Sequence, residues 1–241
     1  MKKTKFVLFS IIGYLIRHVY RNKIKHGDHV IYTASDLVSN LTIALIYFNR
    51  YEKDEIQLCA KYLTSNIDII ELGTSIGVVA STLQQQVNFK TMICVEANPS
   101  LHKLLRKTFE LNKFRNYDLI DAAISDSHQP VCFASRNSNE LGKIVSHSEI
   151  KVNTKSLPQI VKENNIQDYC LICDIEGAEC SFILGKGLEK CQLIIIELHS
   201  IEWNKKTYTP TELSLLIQDK GFDLLEKANS TFAFKRMAIA T

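Results

Sequence analysis

The run Ile67-Asp68-Ile69-Ile70-Glu71-Leu72-Gly73-Thr74-Ser75-Ile76-Gly77 constrains the fold more than any other segment. A short apolar stretch that ends in an acid and a glycine-spaced turn reads as a strand buried on both faces, then a loop, then a helix. Gly73 lets the chain turn without a Cβ, and Gly77 lets the helix begin close to a ligand. Nineteen residues after Gly77 a second apolar run, Thr91-Met92-Ile93-Cys94-Val95, ends in Glu96. That spacing sets a carboxylate beside the first loop, where it can accept hydrogen bonds from both hydroxyls of a ribose. A glycine pair alone is often a plain tight turn, so the pair together with Glu96 is the more specific sign.

A dinucleotide loop of the form G-x-G-x-x-G presents bare backbone to a pyrophosphate. Here the middle glycine is missing, and Thr74 and Ser75 put side chains where a pyrophosphate would crowd them. An uncharged adenosine with an amino-acid tail has room. The pattern therefore favours S-adenosylmethionine over NAD, with Glu71, Gly73, Thr74, Ser75, Gly77, Glu96 and Ala97 as candidate contacts.

The remaining periodicity alternates strands and helices. Helices are expected at Lys53 to Leu63, Val78 to Val87, Pro99 to Leu111 and Thr207 to Lys220, and another from a cap at Ser35-Asp36 through about Phe48. Strands are expected at His29 to Ala34, Tyr117 to Ile124, Cys170 to Asp174 and Leu193 to Leu198, with closing strands near Leu224 and Thr231 to Arg236. Val131 to Thr154 is less regular and suggests a hairpin. Such alternation implies an α/β chain, a parallel sheet with helices on both faces.

Five ordered motifs add a resemblance. Glu71 to Gly77, Val95-Glu96-Ala97-Asn98-Pro99, Asp121-Ala122-Ala123-Ile124-Ser125-Asp126, Cys173-Asp174-Ile175-Glu176-Gly177-Ala178-Glu179 and Ile196-Glu197-Leu198-His199 follow one another as in the FkbM-type methyltransferases. The resemblance covers about residues 51 to 225. It implies a class I, Rossmann-like fold with a mostly parallel seven-stranded sheet, and methyl transfer from S-adenosylmethionine to oxygen, commonly a hydroxyl of a sugar or a polyketide. Glu71 stands where Asp is more usual in the family, and Ser75 where Asn is. Both substitutions keep a polar oxygen.

A chain of 241 residues, 46% hydrophobic, supports one catalytic domain and a small appendage. Residues 1–50 are expected to form a helical extension and 51–241 the methyltransferase domain. Of the seven cysteines, Cys94, Cys132, Cys170 and Cys173 sit in apolar runs, as reduced core cysteines do in a cytosolic protein. Cys170 and Cys173 have C-x-x-C spacing, but on a strand they point to opposite faces, which suits neither a shared metal nor a disulfide.

Charge is uneven. Up to His29, seven cations (Lys2, Lys3, Lys5, Arg17, Arg21, Lys23, Lys25) face the single acid Asp28, a balance of +6. With a net charge of +3, the rest of the chain carries −3, which argues against a nucleic-acid-binding face there. Phe6 to Ile16 is apolar, but at 1.5 Å per residue its eleven residues cover only about half of a ~30 Å hydrocarbon core. No small-x-small cleavage site follows it, so secretion is not expected. Residues 1–25 are expected either to lie in the interface of an acidic membrane or to pack on the domain or dimerise, with the protein cytoplasmic or peripheral to the membrane.

In open α/β sheets ligands bind beyond the carboxyl ends of the strands. Asp174 and Glu176 lie two apart at one such end, and Glu197 and His199 at the next. Neighbouring strands ~4.8 Å apart would gather them into one cleft. His199 is the leading base for the acceptor hydroxyl, because imidazole titrates near working pH. Asp174 is the alternative base or orients the acceptor, and Glu197 orients His199. Glu176, Glu179 and His199 are candidate acceptor contacts. The donor's positive charge favours Glu71 and Asp174 beside it, Ala122 or Ala123 by the adenine, and Asp121 on its exocyclic amine. The carboxylates and imidazole also suit Mg²⁺ or a related ion, a point the sequence leaves undecided.

Neither an Asn/Asp-Pro-Pro-aromatic motif nor a Pro-Cys nucleophile is present, which disfavours nucleic-acid base methylation. The expected acceptor is a saccharide of a cell-surface glycan or its precursor. The alternatives are a small natural product, or a non-catalytic protein that binds S-adenosylmethionine.

Overall fold

The computed structural model describes residues 3–34, 36–127, 129–134, 143–145, 151–175 and 177–238. Glu176 therefore lies outside the described residues, as does part of the expected Val131 to Thr154 hairpin. The chain begins with α1 (Lys3–Tyr20), β1 (Lys23–His26), β2 (His29–Tyr32), α2 (Asn40–Tyr47) and α3 (Lys53–Tyr62). The glycine loop follows β3 (Asp68–Leu72) and leads into α4 (Val78–Gln86), β4 (Met92–Val95), α5 (His102–Leu111), β5 (Tyr117–Ile120) and β6 (Ala123–Ile124). Short strands β7 (Val131–Ala134), β8 (Lys143–Val145), β9 (Lys151–Val152) and β10 (Thr154–Lys155) precede α6 (Leu157–Glu163). Then come β11 (Tyr169–Cys173), α7 (Cys180–Ile183), β12 (Cys191–Glu197), β13 (Ile201–Trp203), β14 (Lys206–Tyr208), α8 (Pro210–Asp219), β15 (Phe222–Ala228) and β16 (Thr231–Arg236).

Seven strands form the main sheet in the order β15-β16-β12-β11-β3-β4-β5. β12, β11, β3, β4 and β5 run parallel, while β16 pairs antiparallel with β12 and β15. The period-2 alternation of the strands sorts the core. Ile70, Leu72, Ile93, Val95, Leu171 and Ile194 face α6, α7 and α8, while Ile69, Met92, Cys94, Ile172 and Ile195 face α3, α4 and α5. Each such aliphatic side chain stabilises the fold by about 1.5–3 kcal/mol through burial. Cys170 and Cys173 fall on opposite faces, and all seven cysteines are free thiols.

The amino-terminal unit is more than helical. Between α1 and α2 the chain forms a β1–β2 hairpin, whose first strand the expectation of a helical extension misses. Ile16, Ile24, Ile31, Ile43 and Ile46 form a third cluster that reaches Val78 at the start of α4 and Leu101 before α5. The unit is thereby packed onto the domain. Gly13 is the contact point of α1 with α2, since a Cβ there would meet the Asn40 carbonyl oxygen at 1.7 Å. The cap of α2 is Ser39, whose hydroxyl accepts from Thr42 N at 3.0 Å, rather than Ser35-Asp36. Likewise α5 starts at His102 instead of Pro99, and the expected strand through Ile124 breaks after Ile120.

Candidate functional site

β3 is the first strand of the sheet and lies between β4 and β11, so successive strands leave it in opposite directions. That makes the β3/β11 edge the topological switch point, and a cavity of about 250 Å³ opens there. Backbone hydrogen bonds fix its floor. Gly73 N and Thr74 N donate to the Val95 carbonyl at 2.9 and 3.1 Å, and Asp174 N donates to the Leu72 carbonyl at 3.0 Å. Gly73 has φ +89°, and an added Cβ would lie 2.0 Å from the Asp174 carbonyl oxygen. Only glycine fits there, which brings the two strand ends close enough to share a ligand.

Glu96 holds the loop. Its Oε2 accepts from Ser75 N at 2.7 Å and its Oε1 from Asn98 N at 2.6 Å. Each oxygen retains a second lone pair, so the same carboxylate can lock the backbone and accept a hydroxyl. Burial raises its pKa while these amides oppose the rise.

Glu71, Gly73, Thr74, Ser75, Glu96, Ala97, Ala122, Ala123, Asp174, Glu197 and His199 all line the cavity. His199 Nε2 lies 3.3 Å from Glu197 Oε1, which also accepts from Ser230 Oγ at 2.6 Å. These two contacts, the imidazole first, hold the Glu197 carboxyl below its usual range. Ligand atoms of Asp174, Glu197 and His199 lie within 4.8 Å of one another, so these three are the group that could hold a divalent ion.

Three expected contacts stand elsewhere. Gly77 (φ +82°) does not line the cavity; its missing Cβ instead leaves room for Leu105 and Phe109, each 2.8 Å from where that atom would be. Asp121 turns away from the cavity toward α5, 3.4 Å from His102 Nδ1 and 3.6 Å from Arg106 Nη2. Glu179 is fully buried outside the cavity, where its Oε2 accepts from Gly177 N at 2.9 Å. Burial pushes its carboxyl up to about 8.

Glu52 and Glu55 were missed. Both line the cavity, at the start of α3. Glu55 is buried, and burial followed by the charges of Glu52, Asp174, Glu71 and Glu197 drives its pKa well above the carboxylate range. Glu71 sits on the same face of β3 as Ile69, under α3 and α4, and burial pushes it up to about 7. Among the described residues that line the cavity, six are carboxylates and none is lysine or arginine.

This composition fits S-adenosylmethionine. The donor carries positive charge and no phosphate, and buried Glu71 Oε2 and Ser75 Oγ both lack hydrogen-bond partners at the cavity wall. The methyltransferase FkbM domain matches residues 71–224. No curated protein matches the chain. Among solved structures, an rRNA methylase from Streptococcus thermophilus is similar at 10% identity and TM-score 0.46, over 77% of this chain and 96% of that one. A precorrin-6y C5,15-methyltransferase from Geobacter metallireducens gives 10% and 0.46, over 77% and 88%. TrmK from M. capricolum, solved with S-adenosyl-homocysteine, gives 14% and 0.41, over 75% and 65%. The family match spans the glycine loop, the Glu96 turn and the ends of β11 and β12, on the mostly parallel seven-stranded sheet that the resemblance implies. The chain belongs to the FkbM family of S-adenosylmethionine-dependent methyltransferases.

Proposed function

We propose that the protein methylates a hydroxyl group, most simply one of a saccharide in a cell-surface glycan or its precursor, with His199 as general base. The observation that carries this reading is the pairing of His199 with Glu197 in the lining of a cavity without lysine or arginine among its described lining residues. Bound S-adenosylmethionine supplies an electrophilic methyl group. Glu71, Ser75 and Glu96 would hold it, with Asp174 beside its charge.

Glu197, 3.3 Å from His199 Nε2, orients the imidazole. The imidazole takes the acceptor's proton as oxygen attacks, and Glu197 stabilises the resulting imidazolium. Asp174 and Glu52 offer carboxylate oxygens to neighbouring hydroxyls of a sugar, while the acidic lining repels the phosphates of a nucleic-acid acceptor.

The test is His199→Ala with labelled donor and separate glycan, small-molecule and RNA acceptors. Turnover on the glycan should fall ~100-fold or more at unchanged donor affinity. A loss below about threefold removes His199 as base, since such groups contribute roughly 10²–10⁴-fold. Transfer to RNA alone would overturn the acceptor class. Activity should also survive dialysis against a strong chelator; loss that a divalent ion restores would make Asp174, Glu197 and His199 ligands instead.

A further inference from the structure

α1 presents two faces. Gly13 and Ile16 are buried against the amino-terminal core. On the other side Val7, Leu8, Ile11, Tyr14 and Leu15 are each 52–57% exposed, and Val19 is 74% exposed. At 100° per residue these six side chains fall within one arc of about 140° along the helix. An apolar strip of this length on a protein surface marks a contact with something else. No helix among the described residues is long and apolar enough to cross a membrane.

The charge around the strip selects its occupant. Arg21, Lys23 and Lys25 stand exposed just beyond the carboxyl end of α1, and Lys2, Lys3 and Lys5 occupy the other end of the sequence. No acid occurs before Asp28, whereas the rest of the chain is net negative. A second copy would set these cations against each other across a two-fold axis, since such an interface joins a patch to itself. An anionic lipid surface accepts the apolar side chains between its acyl chains and the cations at its headgroups.

We propose that the outer face of α1 seats the protein in the interface of an anionic membrane, with the helix in the membrane plane and Arg21, Lys23 and Lys25 at the phosphates. The helix is already folded and anchored by Ile16 and Gly13, so docking requires no rearrangement of the domain.

Flotation of the full chain with vesicles tests this. The expected result is co-flotation with vesicles of 70% phosphatidylcholine and 30% phosphatidylglycerol, weakened by 0.5 M salt and absent with phosphatidylcholine alone. Ile11→Glu/Leu15→Glu should lower the partition coefficient tenfold or more. Arg21→Gln/Lys23→Gln/Lys25→Gln tests the charge independently and should weaken binding in the same direction. All substituted side chains are exposed, so both variants should keep the wild-type melting temperature. Failure of the wild type to float, equal flotation of the variants, or a solution dimer that Ile11→Glu/Leu15→Glu dissociates would overturn the proposal.

Discussion

Binding of the donor should expel a proton from Glu71. Burial places the pKa of this carboxyl at about 7, so near neutral pH half of the unliganded molecules carry it protonated. A unit positive charge ~5 Å away, at an effective dielectric of ~20, favours the ionised form by about 3 kcal/mol, or roughly two pKa units. The bound carboxyl is then ionised well below pH 7, and about half a proton leaves on binding at pH 7. The same shift makes the donor bind about tenfold more tightly at pH 8 than at pH 6. Calorimetric titration with S-adenosylmethionine in phosphate and in Tris measures the release, because the buffers differ in ionisation enthalpy. Glu71→Gln should remove the Glu71 share while leaving the fold intact. Identical enthalpies in both buffers for wild-type protein that binds the donor would refute the placement of a cation beside this carboxyl.

Gly73→Ala meets the Asp174 carbonyl and strains a left-handed backbone, so it should lower stability by about 2 kcal/mol or more and abolish donor binding, read by thermal melting and calorimetry. Glu179, raised to about 8, has a folded pKa above its unfolded one, so its contribution is fully favourable below ~4.3 and is lost as pH rises toward 8. The melting temperature of unliganded protein should therefore decline between pH 5 and 9, and Glu179→Gln should flatten that decline. Asp121→Asn should change donor affinity by less than about twofold, because Asp121 is half exposed, faces His102 and Arg106 of α5 and does not line the cavity. A larger loss in equilibrium binding would return Asp121 to the adenine site.

The strands that build the cavity were legible because each combines an apolar run with a turn or an acid at its carboxyl end. β3, β4, β11 and β12 all have this form, and their burial follows directly from it. What the sequence hid depends on partners distant in the chain. Gly77 reads as a ligand contact until Leu105 and Phe109 fill the space beside it. Asp121 reads as an adenine contact until α5 brings His102 and Arg106 to it. Glu55 lies in an acidic first turn, which helix electrostatics alone explains, and nothing local marks it as facing a cavity. Glu179 reads as an acceptor contact until the Gly177 amide takes its carboxylate in a buried position.

The uneven charge of the chain acquires one physical account from this architecture. Tyr51, Val78 and Leu101 belong both to the cavity wall and to the cluster that contains Ile16 of α1. Six carboxylates line the cavity proposed for a cationic donor, and the exposed Arg21, Lys23 and Lys25 follow the carboxyl end of the helix anchored to that wall. Field strength inside a low-dielectric cavity is set by its own carboxylates, whereas the exposed cations act over about a Debye length, ~8 Å at physiological salt. The two charge groups can therefore act on the two proposed ligands without cancelling each other. One apolar cluster joins Ile16 of α1 to Tyr51, Val78 and Leu101, so the surface proposed to meet the membrane and the cavity proposed for the donor share one packed support.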